Sequence, residues 1–204
     1  MPSLMDKLFT FAFIFFLISL VIYRVKSCLI TTGNEKGQIS QAWTLYILTL
    51  LHVVIGFIAT IEYFWFVKYL DYRVTIFGVI LFSVGVAGRF WALNTLGKYH
   101  SPQIEIREDQ PLITLGPYHY IRHPIYSFTI VEVLGCTLIP NAYFALCLTI
   151  FVYTPLLLLR LFLEEKALIQ AFGEAYLRYR ETVPCLIPFT KWAKDGIQST
   201  SRIE

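Results

Sequence analysis

Five apolar segments dominate this chain of 204 residues, and each ends at a polar stretch or at a turn that contains glycine or proline. Segments of this length and polarity are typical of helices that cross a membrane. The predicted spans are residues 8–23, 42–67, 74–96, 125–139 and 142–159. The pattern therefore predicts an all-α, polytopic membrane protein in a single domain, with about five transmembrane helices and a C-terminal cytoplasmic helix.

The last two spans are predicted to form a helical hairpin around Pro140 and Asn141. As a helix, the first arm would be about 22 Å long, which is less than the roughly 30 Å of a hydrocarbon core. Either this arm begins in the head-group layer or the hairpin stops short of the far side. Pro155 is expected to kink the second arm. The charged residues 160–183 are predicted to form a helix that leaves the membrane and folds back over the polar region.

The first apolar segment has a competing interpretation, because Lys7 precedes it as in a cleaved signal peptide. No small-residue cleavage pattern follows it, and the run ends at Arg24 and Lys26. This favours a spanning helix that is retained.

The third span combines small residues with a charge. Gly85 and Gly88 predict close approach of a neighbouring helix. Arg89 marks either a functional position within the membrane or a side chain that extends to the interface. Glu132, in the fourth span, either faces a groove or pairs with Arg89.

The composition supports a membrane protein and excludes several other classes. Hydrophobic residues make up 56% of the chain and charged residues 15%, against about 25% in soluble domains, and mean hydropathy is +0.60. A net charge of +3 is too small to indicate nucleic-acid binding. The four cysteines form no C-x-x-C pair and no Cys/His cluster with metal spacing, so no metal site is predicted. The glycines never form G-x-G, which argues against a soluble, doubly wound domain with a glycine-rich cofactor fingerprint.

The distribution of positive charge predicts the orientation. With the N-terminus outside and residues 97–123 and the C-terminus in the cytoplasm, thirteen of the seventeen lysines and arginines lie inside. This agrees with the positive-inside rule. The membrane would be the cytoplasmic membrane of a bacterium or the endoplasmic reticulum of a eukaryote.

Two polar blocks, residues 97–126 and 160–189, are expected to meet on the cytoplasmic side. In the first, Gly116-Pro117 predicts a turn and Pro124 the first turn of a new helix, with His123 beside its N-cap. A titratable cluster at a helix N-terminus suits an anionic ligand group. The alternative is that Arg122 and His123 only anchor the helix at the head groups, as interfacial cations do.

The second block contributes Arg160 and Glu164, which are four residues apart and so share one helical face. Taken alone, they suggest an ion pair within the helix. Taken with four residues of the first block, they predict one pocket at the membrane surface. Those four are Gln103, Tyr118, His123 and Tyr126.

The stretch GPYHYIRHPIY at 116–126, followed by RLFLEEKALIQAFGEAYLRYRETVPCLIPF at 160–189, resembles the isoprenylcysteine carboxyl methyltransferase family. These are membrane enzymes that use S-adenosyl-L-methionine. The resemblance covers residues 97–189, whereas the first two spans match only in hydropathy. The combination of G-P-Y-x-x-x-R-H-P-x-Y with E-E and F-G-x-x-Y-x-x-Y is specific, which a lone R-H-P would not be.

The resemblance implies a set of functional residues. The family's substrate-side arginine matches Arg160, and its cofactor-side glutamate matches Glu164. The implied cofactor-binding residues before the fourth span are Gln103, Gln110, Pro111, Leu112, Ile113 and Tyr118. Those at the start of that span are His123, Pro124, Ile125 and Tyr126. Gln110 departs from the family, which often has histidine there.

The chemistry of these residues fits the cofactor that the resemblance implies. Glu164 suits its ammonium, the helix N-terminus with His123 suits its carboxylate, and the tyrosine faces suit its sulfonium or adenine. Arg160 would hold a substrate carboxylate and aim it at the methyl group. An apolar groove beside the hairpin would admit a lipid tail from the bilayer.

Three functions therefore remain open. The favoured one is a membrane methyltransferase acting on a lipophilic acceptor, with a prenylcysteine carboxylate first and another acid, phenol or amine as alternatives. An NADPH-dependent reductase of the sterol type is the second, because such enzymes share the R-H-P-x-Y region. A membrane interaction protein that keeps only the fold is the third. No nucleic-acid partner is expected.

Overall fold

The computed structural model describes residues 4–29, 38–40, 43–99, 104–106 and 111–188, and within them the chain is almost entirely helical. The helices are α1 Leu4–Leu29, α2 Trp43–Trp65, α3 Tyr72–Leu96, α4 Pro124–Leu138, α5 Tyr143–Leu148, α6 Thr154–Phe172 and α7 Glu174–Thr182. Short 3₁₀ turns cover Gly97–Tyr99 and Gly116–His119. The all-α prediction needs one correction, because β1 Gln38–Ser40 pairs antiparallel with β2 Ile104–Ile106.

Within the part of the chain that the structure describes, three helices are long and apolar enough to cross a membrane. They are α2, α3 and the continuous helix Tyr143–Phe172, which contains α5 and α6. Leu8–Ser19 and α4 are also apolar but shorter than a typical span. The protein is therefore a helical membrane protein, and the count of five spans stays a prediction.

Two helices extend beyond the segments that the sequence predicted. α1 extends well beyond residues 8–23 at both ends. The charged helix does not begin at Arg160, because α6 carries on through Arg160 to Phe172 without a break. Charge alone does not end a helix, and the Leu, Glu, Lys and Ala residues here are strong helix formers. The break comes at Gly173, whose φ of 52° lies in the region that glycine tolerates, and α7 folds back from there.

Glycines allow α3 and α4 to pack closely, as the sequence predicted. A Cβ at Gly85 would lie 2.5 Å from the backbone nitrogen of Glu132, and one at Gly88 would overlap the ring of Phe128. Gly135 of α4 meets the α3 backbone in the same way. Glu132 is only 1% exposed, so it lies inside this interface and not in an open groove.

Hydrogen bonds from α2 and α3 hold the turn between α4 and α5 at one end of the helical bundle. The carboxylate of Glu62, near the end of α2, accepts hydrogen bonds from the backbone nitrogens of Phe144 (2.9 Å) and Ala145 (3.0 Å). It thereby satisfies donors that the start of α5 leaves open. Asn141 accepts from the backbone nitrogen of Asp71 (2.8 Å) and donates to the hydroxyl of Thr75 (3.0 Å). These contacts hold the turn between α4 and α5 against α2 and α3.

A π-helical turn at Thr149–Tyr153 joins α5 to α6, directly before Pro155. Proline cannot donate to the helix ladder, and a π-turn is one way in which a helix accommodates this loss. The hydroxyl of Thr154 donates to the carbonyl of Thr149 (2.9 Å). The extra residue of a π-turn rotates all later side chains by about 100°. The π-turn therefore sets the directions in which the side chains of α6 point.

Candidate active site

The hydroxyl of Tyr126 connects Arg160 and Glu164, the residues to which the family resemblance assigns the substrate side and the cofactor side. It donates a short hydrogen bond to Oε2 of Glu164 and accepts one from Nε of Arg160 (3.1 Å). Tyr126 lies in the first turn of α4, whereas Arg160 and Glu164 are one turn apart on α6. Arg160 is 6% exposed, so this cation is held inside the protein. The direct ion pair suggested by the spacing of Arg160 and Glu164 is thus replaced by a bridge through a phenol.

Tyr118 adds a polar atom that the described protein does not satisfy. Its hydroxyl is buried and has no hydrogen-bond partner among the described residues. Burial and the charge of Glu164 raise the pKa of this phenol, so the hydroxyl stays protonated and able to donate. Its backbone carbonyl accepts from the hydroxyl of Tyr179 (2.5 Å), which fixes the residue in place. An orphaned buried donor beside a carboxylate is what a site for a polar ligand should contain.

A second cluster lies next to the first and is centred on Glu165. Its Oε1 accepts from Nη2 (2.6 Å) and Nε (3.0 Å) of Arg122. The same oxygen is 3.2 Å from Nε2 of His123 and 3.3 Å from the hydroxyl of Tyr176. Burial alone would lower the pKa of Arg122, but the hydrogen bond and charge of Glu165 outweigh it and raise that pKa. Arg122 and Glu165 therefore form a buried, charged pair.

The end of α7 and the chain that follows it, residues 180–186, form a strap over the start of α4. Nη1 of Arg122 donates to the carbonyls of Arg180 (3.0 Å) and Val183 (2.6 Å). The backbone nitrogens of Arg122 and His123 donate to the carbonyls of Pro184 (2.9 Å) and Cys185 (3.1 Å). These nitrogens are therefore already engaged, although the sequence suggested that this helix N-terminus binds an anion.

The fold also brings together three groups that can bind metal ions but are scattered along the sequence. One ligand atom each of His123, Glu165 and Cys185 lies within 4.8 Å of the others. Glu165 already faces the cationic Arg122, which opposes a second cation at the same oxygen. Burial, with the charge of Glu165, raises the pKa of the Cys185 thiol, which disfavours the thiolate that metals bind. The cluster fits a structural ion pair better than a metal site.

The predicted site residues fall into four groups. Tyr126, Arg160 and Glu164 are joined by hydrogen bonds, and Tyr118 presents its hydroxyl nearby. His123 and Pro124 are buried, but His123 belongs to the Glu165 cluster. Ile125, Leu112 and Ile113 are half-buried and Pro111 is exposed. Gln103 and Gln110 lie outside the described residues, although β2, which follows Gln103, packs against α6.

Glu165 and Thr44 were not singled out from the sequence. Arg122 was named in the titratable cluster at the start of α4, with an interfacial anchor as the alternative, but its pair with Glu165 was not predicted. The adjacent E-E pair was the available signal, because neighbours on a helix point about 100° apart and so reach different partners. Thr44 of α2, whose hydroxyl accepts from Nη1 of Arg160 (2.7 Å), lies in no motif at all.

Comparison with known proteins points to one family. A family model described as "Isoprenylcysteine carboxyl methyltransferase (ICMT) family" matches residues 78–170. The Arabidopsis thaliana "Protein-S-isoprenylcysteine O-methyltransferase B" is 31% identical over 147 residues, which are 71% of this chain and 74% of that protein. The Bacillus subtilis (strain 168) "Uncharacterized protein YpbQ" is 36% identical over 89 residues, 44% of this chain and 52% of that protein.

A solved structure shares the fold. The structure of the eukaryotic intramembrane Ras methyltransferase ICMT, determined without a monobody, matches with a TM-score of 0.56 at 25% identity. The match covers 75% of this chain and 55% of that chain. The chain thus spans about half the length of the Bacillus relative and of the solved structure, and about three quarters of the Arabidopsis protein.

Proposed function

The chain belongs to the isoprenylcysteine carboxyl methyltransferase family, and from that premise we propose that it is a membrane methyltransferase. The donor is S-adenosyl-L-methionine, which when bound supplies an electrophilic methyl group, and the acceptor is the carboxylate of a prenylcysteine-like lipid. The observation that carries the proposal is the bridge from Glu164 through Tyr126 to Arg160. It holds one anion and one cation at fixed separation inside the protein.

Each of these two charges suits one of the two substrates, Glu164 the methyl donor and Arg160 the acceptor. Glu164 suits the ammonium of S-adenosyl-L-methionine. The orphaned Tyr118 hydroxyl can donate a hydrogen bond to an acceptor atom of the same molecule. We also propose that eight further residues contact S-adenosyl-L-methionine. They are Gln103, Gln110, Pro111, Leu112, Ile113, His123, Pro124 and Ile125. Arg160 suits the acceptor carboxylate, because a guanidinium binds a carboxylate through two parallel hydrogen bonds. A carboxylate needs no strong base to attack a methyl group, so orientation and exclusion of water are the residues' main contributions.

The acceptor's lipid tail has a candidate site of its own. A cavity of about 310 Å³ lies between α1, α2 and α4, which is the lower end of the range for ligand pockets. Its lining is almost entirely apolar and includes Ile18, Gly56, Phe57 and Val133. The first residue of α2 that lines the cavity is His52. It follows Thr44 by eight residues, which is about 12 Å along the helix. Ile18 and Phe57 are also exposed on the outer surface, so the cavity opens toward the bilayer.

The orientation proposed for the site follows from charge. The site lies where α2 and α4 begin, which is the end that carries most of the basic residues. We place this end and the C-terminus in the cytoplasm and the N-terminus outside. The membrane is the cytoplasmic membrane in a bacterium or the endoplasmic reticulum in a eukaryote.

Calorimetric titration of the detergent-purified protein with S-adenosylhomocysteine tests the proposed donor site. The wild type should bind in the micromolar range. Both Glu164→Gln and His123→Ala should weaken binding at least tenfold, as expected when a hydrogen bond to a charged group of the ligand is lost. Glu174→Gln, on the exposed start of α7, is the matched control and should bind as the wild type does. A folded wild type that ignores S-adenosylhomocysteine but binds NADPH would replace the methyltransferase with a reductase.

Filling the cavity should select against long acceptors. A Cβ at Gly56 would meet only Leu17, at 4.0 Å, so Gly56→Leu should fold and occupy part of the cavity. Displacing two or three methylenes of the tail costs about 2 kcal/mol, which corresponds to about 30-fold in KM. We expect this rise for a farnesylated acceptor and little change for a short-chain one. Val54→Leu, on the exposed face of α2, is the control, and equal effects on both acceptors would contradict the assignment.

A further inference from the structure

The hydroxyl of Thr44 reaches Arg160 from the half of the chain that carries no family motif. Thr44 is the second residue of α2 and is only 5% exposed. Its Oγ1 accepts a hydrogen bond of 2.7 Å from Nη1 of Arg160, which is 116 positions away in the sequence. The family model begins at residue 78, so it assigns nothing to this position.

Thr44 and Tyr126 together fix the orientation of the Arg160 guanidinium. Thr44 binds Nη1, and Tyr126 binds Nε at 3.1 Å. A single hydrogen bond would leave the planar group free to turn about it, whereas two bonds at separate nitrogens define its plane and its direction. These two bonds use two of the five N–H donors that a guanidinium carries.

The chemistry of these partners differs from that at the other buried arginine of this region. Arg122, which is 7% exposed, donates twice to the carboxylate of Glu165, and that pair neutralises both charges. Thr44 and Tyr126 are neutral hydroxyls. They satisfy N–H groups of Arg160 without themselves adding a negative charge, which suits an arginine that receives an anionic substrate.

We propose that Thr44 is a positioning residue that aims the Arg160 guanidinium at the carboxylate of the methyl acceptor. This inference rests on the proposed function, and it gives α2 a part in substrate recognition. β1 precedes α2 and pairs with β2, which packs against α6, so the segment before Thr44 also approaches the helix of Arg160. Without the hydroxyl, the guanidinium would keep its charge but lose the bond at Nη1 that helps to orient it.

The test compares Thr44→Val, which removes the hydroxyl and keeps the shape, with Thr44→Ser, which keeps the hydroxyl. The probes are S-farnesylcysteine with a free carboxylate and its neutral carboxamide, titrated calorimetrically into the cofactor-free protein, followed by kcat and KM for the acid. Thr44→Val should weaken binding of the acid and raise its KM about 10- to 100-fold, the range for a hydrogen bond to a charged group. Binding of the carboxamide and of S-adenosylhomocysteine should change less than twofold, and Thr44→Ser should restore binding of the acid.

The control is Thr49→Val, which removes a hydroxyl that donates to the carbonyl of Leu45 within the same helix. Thr44→Val protein that binds the acid as the wild type does would overturn the inference alone. Equal loss of the acid and the carboxamide would also overturn it, because the effect would then concern the tail or the fold. A wild type that binds neither S-adenosylhomocysteine nor the acid would overturn the proposed function, and the inference with it.

Discussion

Replacing Arg160 with alanine is expected to lower methyl transfer strongly and to leave binding of the methyl donor largely intact. Removing one partner of a buried charged contact typically costs 2–5 kcal/mol, which corresponds to a loss of about 30- to several thousand-fold in kcat/KM. Binding of the methyl donor should weaken less. Arg160→Ala removes the bond from Arg160 to Tyr126, whereas Glu164 keeps its own hydrogen bond from Tyr126. Affinity for S-adenosylhomocysteine should therefore change by no more than a few-fold.

Two further variants sharpen this prediction. Arg160→Lys keeps the charge but cannot reach Thr44 and Tyr126 with separate nitrogens of a rigid plane, so it should recover little of the lost activity. Arg178→Ala removes an exposed arginine of α7 and should leave activity unchanged. Turnover and S-adenosylhomocysteine affinity are measured on the same preparations. If Arg160→Ala lowers both equally, the division between an acceptor-side arginine and a donor-side glutamate is wrong.

Hydropathy locates the long helices because spanning segments must be apolar over their whole length. The predicted segments 42–67 and 74–96 differ from α2 and α3 by at most two residues at each end. The same signal fails where the helix continues beyond the apolar stretch. Arg160 looked like the start of a new helix because the charge begins there, whereas backbone hydrogen bonding runs on until Gly173. Helix ends inside charged segments depend on caps and on glycine, which hydropathy does not report.

The site could be predicted as a set of residues but not as a geometry. The motif residues Tyr126, Arg160 and Glu164 do meet, yet the bridge between them runs through the phenol instead of a direct ion pair. Which of Glu164 and Glu165 faces which partner depends on the rotation of α6, and the π-turn before Pro155 sets that rotation. Thr44 contacts Arg160 only because α2 packs beside α6, and that long-range contact leaves no local trace in the sequence.

Breaking the buried pair beneath the strap is expected to cost more stability than any surface change. Glu165→Gln leaves the Arg122 charge buried without its carboxylate, and such uncompensated charges cost about 3–5 kcal/mol. For a protein of this size, that lowers the Tm by roughly 6–20 °C. The loss should be large because the same arginine also donates to the strap carbonyls of Arg180 and Val183. Thermal unfolding in detergent, followed by circular dichroism, measures the effect.

The double variant Arg122→Met with Glu165→Met separates the cost of an orphaned charge from the value of the pair itself. It removes both charges, so its Tm should lie above that of Glu165→Gln although it deletes more interactions. Glu181→Gln, at the exposed end of α7, is the matched control and should melt within about 2 °C of the wild type. If Glu165→Gln melts with this control, the pair does not hold the strap against α4. The Glu165 cluster would then have to serve ligand binding directly, and the same variant should instead lose affinity for S-adenosylhomocysteine.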